Sequence, residues 1–454
     1  MRLTLADIEQ CLGIGADVTD TPVTGVCTDS RTVQKGDLFV CIDGEHFDGH
    51  EFAAKAAEAG ACAVIASRML ELRDTPVFMV RDTVNALGRI AACWREKCEA
   101  KLVAVTGSAG KTTIKELLAL ACSNRYRVAK NYRNLNNQIG LPLSMLRASC
   151  DEDLWIMELG ISHTGDMDEL GMVARPDVAV IANIGPAHLE GLGDISGVAQ
   201  AKAALLKYLR DGGEAIVSND YFELWEAAQK VIPFPTSFST LAGKTGFTCC
   251  FLGAGPEGEG RFRLTTPDEE HEFQAPVCGD HIAENLAAVA AACHALDVPA
   301  EDVVWAAQHF KADAQRFCTR QAGCFTLIDD TYNANPLSMR RSIETARCIA
   351  ADRPLVLVLG DMRELGPGAN AAHEELGRLI AETTPAAVFW RGEHAADVKR
   401  GFTGLSDIDD TEGFITQWNT LGLTDAVVLF KGSRSMNMED FSRALAAKLE
   451  GDAA

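Results

Sequence analysis

The segment Thr106-Gly-Ser-Ala-Gly-Lys-Thr-Thr113 stands directly after an apolar run and directly before a helix-forming one. It constrains the fold more than any other part of the chain. A bound phosphate needs converging backbone N–H groups, a cation and a ligand for Mg²⁺. Gly107 and Gly110 let the backbone curl around the phosphates, with Ser108, Ala109 and Thr113 completing the loop. Lys111 can reach the β- and γ-phosphates, and the Thr112 hydroxyl can hold Mg²⁺. Position 105 is Val, so the first glycine of the usual GxxxxGK[ST] spacing is absent. The competing reading is a glycine turn that happens to end in Lys-Thr. A strand over 102–106 and a helix from 112 to about 123 disfavour it.

Around this loop, strands are expected over 154–159, Val178–Ile181 and Glu214–Ser218, with helical segments between them. Such alternation implies a parallel sheet with helices on both faces. Residues 241–275, rich in Gly, Pro and Thr, lean toward hairpins; 280–295 is an Ala-rich helix and 312–316 a hinge. The C-terminal part alternates again, with strands over 325–329, 355–359, 387–390 and 426–430 and helices over 337–350, 370–382 and 438–449. It reads as a smaller doubly wound unit. At the other end, strands over 38–42 and 61–66 flank a helix over 52–59. A helix over 82–97, capped by Asp82 or Thr83, opens the next domain. The expected fold class is therefore α/β with three domains. A small N-terminal α/β domain spans 1–82, a central P-loop parallel-sheet domain 83–313 and a C-terminal Rossmann-like domain 314–454.

Charge narrows the partners. Lys+Arg 42 against Asp+Glu 64 gives −22, which argues against nucleic acid and against anionic lipid. It does not exclude small anions in a locally positive pocket. Apolar runs such as 286–293 fall far short of the ~20 residues a membrane helix needs, and Asp7 and Glu9 do not suit a signal peptide. The 15 cysteines show no CxxC spacing, so reduced, buried thiols are expected.

Other candidates are weaker one by one. Glu158 closes an apolar strand, where a second Mg²⁺ ligand would sit. His188, in Asn183-Ile-Gly-Pro-Ala-His-Leu-Glu190, follows a strand of the same sheet and is as open to a ligand role as to a structural one. Spacing alone favours a solvated lysine at Lys202. Asn333 and Asn335, in Ile328-Asp-Asp-Thr-Tyr-Asn-Ala-Asn-Pro336, suit either a turn or a ligand loop. Lys431-Gly-Ser-Arg-Ser435 offers cations and N–H groups to an anion. His46 and His50 are four apart, but Gly49 between them favours a loop over a metal pair.

The order of these motifs resembles the Mur ligases of bacterial cell-wall synthesis along nearly the whole chain. The resemblance is carried by Thr28-Asp-Ser-Arg31, Gly36-Asp-Leu-Phe39, the TGSAGKTT loop, Asn136-Asn-Gln-Ile-Gly-Leu-Pro142 and NIGPAHLEGLG. It continues in His281-Ile-Ala-Glu-Asn285, DDTYNANPLSM and Leu359-Gly-Asp-Met-Arg-Glu-Leu-Gly366. DDTYNANP and LGDMxELG match the branch that adds D-alanyl-D-alanine. The resemblance implies ATP-dependent joining of that dipeptide to UDP-N-acetylmuramoyl-tripeptide through an acyl phosphate, with ATP and Mg²⁺ as cofactors. It further implies a cytoplasmic monomer without nucleic-acid partners or membrane insertion. By matching position, Ser30 and Arg31 hold the UDP part, and Asn136 and Asn137 belong to the substrate side. Lys111 and Thr112 match the ATP loop, Glu158 and His188 Mg²⁺ ligands, and Lys202 a carbamylated lysine that helps hold the second Mg²⁺. Asn285 matches an adenine contact, and Arg316 and Asp330 contacts to phosphate and ribose. Tyr332, Asn333, Asn335, Lys431 and Ser433 fall on the dipeptide side, and catalytic roles fall to Lys111, His188, Lys202 and Arg316. Lys202 is followed by Ala-Ala-Leu, where relatives usually carry Gly-Glu-Ile.

Overall fold

Strand Lys101–Thr106 sits between Val178–Ile181 and Leu154–Glu158 in a nine-stranded sheet of the computed structural model. The structure describes residues 3–15, 20–44, 47–132, 134–255 and 258–452; His46 lies outside them. The sheet is parallel from Val128–Lys130 at one edge through Phe247–Ala254, and ends in two antiparallel strands, Gly260–Thr265 and Glu270–Ala275. Strand Lys101–Thr106 and its two neighbours are buried along their length, with Lys101 the exposed exception. Their β-branched and apolar residues suit a sheet covered on both faces. Because the chain leaves the loop-bearing strand and re-enters the sheet on either side of it, a crevice opens at the C-terminal ends of these strands.

Helix Thr83–Lys97 shows how local sequence sets the packing. Asp82 accepts hydrogen bonds from the backbone N–H groups of Val84 and Asn85, a cap worth about 1 kcal/mol. Leu87, Ile90, Ala91 and Trp94 form the buried face, and the Trp94 indole N–H reaches the Ala148 carbonyl at 3.0 Å. Losing that ring would cost about 3–5 kcal/mol. The N-terminal domain is a four-stranded parallel sheet, Gly25–Cys27, Asp37–Val40, Ala63–Ala66 and Val77–Met79. Leu38, Ile65 and Phe78 from this sheet share one core with Leu87, Trp94 and Leu102. The first two domains are therefore joined by continuous packing.

The C-terminal domain is a six-stranded sheet with its own cores on both faces. One antiparallel edge strand, Cys318–Ala322, precedes five parallel ones, Phe325–Asp330, Val427–Lys431, Leu355–Gly360, Ala387–Arg391 and Leu405–Asp407. It follows the irregular stretch after helix Ala300–His309, where the hinge was expected.

One expectation fails. Four cysteines are not free thiols: Cys11 is bonded to Cys93 and Cys98 to Cys150. Helix Leu5–Leu12 packs on helix Thr83–Lys97, and the chain after Arg147 returns to that helix's end. Tertiary packing thus joins cysteines 82 and 52 positions apart, which no local spacing reveals. No helix among the described residues is long and apolar enough to cross a membrane.

Candidate functional site

A cleft of about 400 Å³ lies between the central and C-terminal domains. The loop from Gly107 to Thr113 forms its floor. Gly110 adopts φ +78°, and a Cβ there would sit 2.3 Å from the Asn285 side-chain oxygen. The loop therefore needs glycine at this position both for its turn and for the close approach of Asn285. Lys111 starts helix Lys111–Cys122 and donates to the Gly107 carbonyl at 2.8 Å. Burial pushes its amine below the usual lysine range; Glu158 opposes that shift and Arg316 adds to it.

Side chains from neighbouring strand ends converge on the loop. The Thr112 hydroxyl donates to Glu158 Oε2 at 2.7 Å, and Asn136 Nδ2 donates to Oε1 at 2.7 Å. Glu158 is in turn held by Asn131, whose Oδ1 accepts the Glu158 backbone N–H at 2.5 Å. Asn183 brackets the loop from the other side: its Oδ1 accepts the Ala109 N–H at 2.9 Å and its Nδ2 donates to the Ala109 carbonyl at 3.1 Å. Lys202 is buried at the cleft wall. Burial, then the nearby Lys111, pushes its amine well below the ordinary value, which contradicts the solvated lysine that spacing suggested. Helix Ile195–Ala203 carries this lysine into the cleft.

The C-terminal domain supplies the opposite wall. Arg316 lines the cleft with its guanidinium 3.8 Å above the Tyr332 ring. Asp330 accepts from Lys431 Nζ at 2.6 Å, from the Ser342 hydroxyl at 2.6 Å and from the Phe317 N–H at 3.1 Å. Lys431 is therefore an anchored cation, bound also to the Asn333 carbonyl at 3.0 Å. Asn335 caps helix Pro336–Ala350 and reaches across the cleft to the Ser108 carbonyl at 3.2 Å. Ser433 is buried just behind the cleft and accepts the Arg363 N–H at 2.8 Å. Asn137 lines the cleft and accepts the Gly140 N–H at 2.9 Å.

Two anticipated residues do not join this group. Ser30 and Arg31 lie on the N-terminal domain away from the cleft lining, and Arg31 pairs with Asp29 at 2.7 Å, which holds the Asp29 carboxyl at about 2. The His50 ring is engaged on both sides: Nδ1–H donates to Asp48 at 2.6 Å and Nε2 accepts the Ser67 N–H at 3.0 Å.

The residues fit a nucleotide with Mg²⁺. The Asn285 Oδ1 is buried with no hydrogen-bond partner, an acceptor waiting for a donor such as an exocyclic amine. The Thr112 hydroxyl and Glu158 carboxylate are adjacent hard oxygens of the kind Mg²⁺ prefers. The described residues hold no ready-made cluster of three His, Cys, Asp or Glu. That suits an ion which ordinarily keeps waters and phosphate oxygens in its shell.

Sequence reasoning missed Asn131, Tyr221, Glu284 and Arg341, all of which brace the cleft. One signal was present: Glu284 is a carboxylate beside Asn285 at the head of the apolar run Leu286–Cys293 of helix Asp280–Ala295.

Three family models match in chain order: "Mur ligase family, catalytic domain" over 22–125, "Mur ligase middle domain" over 105–293 and "Mur ligase, glutamate ligase domain" over 315–434. The UDP-N-acetylmuramoyl-tripeptide–D-alanyl-D-alanine ligase of Escherichia coli (strain K12) is 35% identical over 438 residues, 95% of each chain. A crystal structure of MurF from Acinetobacter baumannii superposes with TM-score 0.90 at 31% identity, covering 99% of both chains. MurF ligase from Thermotoga maritima in complex with ADP gives 0.86 at 28% identity, covering 96% of this chain and 100% of that one.

Proposed function

This chain belongs to the Mur ligase family, and on that premise we propose that it joins D-alanyl-D-alanine to UDP-N-acetylmuramoyl-tripeptide at the expense of ATP. The similar ligases of Escherichia coli and Bacillus subtilis carry that activity in their names and align over nearly their full length. The observation that carries the reading is the cleft itself. One end is a phosphate loop, and the facing wall is a separate domain that brings Arg316 and Asn335 onto it.

Joining a carboxylate to an amine requires an activated acyl group. The tripeptide carboxylate attacks the γ-phosphorus of ATP, giving an acyl phosphate and ADP. The dipeptide amine then attacks the acyl carbon, and the tetrahedral adduct collapses to amide and phosphate. In the first step two anions must approach each other. Lys111 and Arg316, on opposite walls, offset that repulsion. Thr112 and Glu158 would hold Mg²⁺, with His188 and Lys202 serving a second ion; bound there, Mg²⁺ supplies charge neutralisation on the phosphates. Lys202 suits a carbamate, because addition of CO₂ requires the neutral amine that its burial favours. Asn285 takes the adenine, and Asp330 the ribose. Ser30 and Arg31 hold the UDP part from the N-terminal domain. Asn333, Asn335, Tyr332 and the Lys431–Ser433 loop face the dipeptide. Docking of the C-terminal domain excludes water from the acyl phosphate. We place the reaction in the cytoplasm, catalysed by a monomer.

The test is a panel of UDP-tripeptides ending in meso-diaminopimelate or L-lysine, with ATP and with or without D-alanyl-D-alanine. Phosphate release that depends on the dipeptide, with a product heavier by one dipeptide residue pair, is expected. Phosphate release indifferent to the dipeptide would instead mark a nucleotide hydrolase.

A further inference from the structure

Arg341 stands on helix Pro336–Ala350 of the C-terminal domain and grips Glu284 of the central domain with both arms of its guanidinium. Nη1 donates to Oε2 at 2.9 Å and Nη2 to Oε1 at 2.8 Å. The Glu284 side chain is 2% exposed and that of Arg341 16%, so the pair is shielded from solvent. Glu284 also accepts from the Tyr221 hydroxyl at 2.7 Å and from Asn183 Nδ2 at 2.6 Å. Asn183 is the residue whose Oδ1 and Nδ2 bracket Ala109 in the phosphate loop.

The chemistry of these groups fixes their order. An ionised carboxylate only accepts, so it compels the Asn183 amide to present Nδ2 toward Glu284. The Asn183 oxygen must then face the Ala109 N–H, and the peptide at Ala109 is held in one orientation. Remove the Arg341 cation and Glu284 remains as a buried anion supported only by neutral donors, a costly arrangement that relaxes by moving or by taking up a proton. Either change frees the Asn183 amide to flip. Glu284 does not line the cleft, although Ile282, Asn285 and Arg341 do, so Glu284→Gln is the variant that tests the relay apart from a direct contact.

We propose that Arg341, Glu284 and Asn183 form a positioning relay through which docking of the C-terminal domain sets the phosphate loop in its ATP-binding geometry. ATP affinity and domain docking are thereby linked, and by reciprocity ATP strengthens docking by the same factor that docking strengthens ATP binding. The inference rests on the reading of the loop as an ATP site.

The experiment measures ATP binding by calorimetry, and compaction by small-angle scattering, for the full-length wild type and for Glu284→Gln, Arg341→Met and the double variant. Far-ultraviolet circular dichroism monitors the fold. Wild-type protein that fails to bind ATP would sink the parent reading, not this one. Given wild-type binding, each single variant should weaken ATP by roughly tenfold, within the usual range of coupling between sites. The double variant should be no worse than either single one, and the affinity of Glu284→Gln for UDP-tripeptide alone should stay unchanged. Arg341→Lys, which keeps the charge without the two-pronged geometry, should fall between wild type and Arg341→Met, and it serves as the test should Glu284→Gln misfold. Unchanged ATP affinity in the single variants, or effects that multiply in the double variant, would overturn the relay.

Discussion

His188 of the central domain presents Nδ1 to Glu364 of the C-terminal domain, 2.5 Å from its Oε2. Both residues have left-handed backbones, φ +54° and +63°, which side chains adopt only at a cost. Burial lowers the His188 pKa, and Glu364 works in the opposite direction. With Nδ1 engaged by the carboxylate, Nε2 is the nitrogen left for a metal. Because the two side chains are 31% and 62% exposed, the pair adds little to stability. Its effect should instead fall on metal affinity. Glu364→Ala is expected to weaken Mn²⁺ binding by about tenfold, read by electron paramagnetic resonance, with an unchanged melting temperature. Wild-type Mn²⁺ affinity in that variant would remove the orienting role.

Lys111→Ala should abolish ligation, by roughly 10³-fold or more, while the protein stays folded. The lysine sits at the start of helix Lys111–Cys122, where the developing phosphate charge would lie. Product formation by mass spectrometry, paired with a thermal melt, checks it; normal turnover in a folded variant would withdraw the phosphate-loop assignment.

Lys202 should act as a carbamate. Its buried, suppressed amine is available to CO₂ at neutral pH. Lys202→Ala should be nearly inactive and partly rescued by a short carboxylic acid. Carbon-13 bicarbonate should give a carbamate resonance in wild type that Lys202→Ala lacks. Full activity of the variant, or no such resonance at saturating bicarbonate, would exclude the modification.

His281 offers a pH dependence with a definite sign. Its ring packs against Phe317, 5.4 Å between centroids, and burial takes its pKa down to about 3. Unfolded histidine titrates near ~6.5. Between those values the unfolded chain binds more protons, so this residue's contribution is complete above about 6.5 and is lost as pH falls toward 3. One proton caps the slope at about 1.4 kcal/mol per pH unit, and the ring's open side toward the cleft holds it below that cap. Urea unfolding at pH 7.5 and pH 5 should show a smaller loss for His281→Asn than for wild type; equal losses would count against it.

Substrate preference should divide by domain. Arg31→Ala is expected to raise KM for UDP-tripeptide more than for the dipeptide, and Asn333→Ala to do the reverse. Equal changes in both constants would point to a loss of folding instead.

Much of this was legible in the chain because it is local. Strand Val178–Ile181 follows from its apolar run and helix Asp280–Ala295 from its alanine content after Gly279, while the cap of helix Thr83–Lys97 is narrowed to Asp82 or Thr83, of which packing selects Asp82. The TGSAGKTT loop is likewise a local matter: glycine spacing decides where a backbone can curl, whatever surrounds it. Apolar periodicity says which face of an element is buried, but not what covers it. The Arg341–Glu284 pair joins residues 57 apart on two domains, and the Cys11–Cys93 bond joins residues 82 apart. By spacing alone Lys202 read as a solvated lysine, because its helix carries no mark of the cleft into which it turns; only the family resemblance placed it at a metal site. These partners were decided only when one domain packed against another, since burial and charge pairing depend on distances in space that no spacing along the chain encodes.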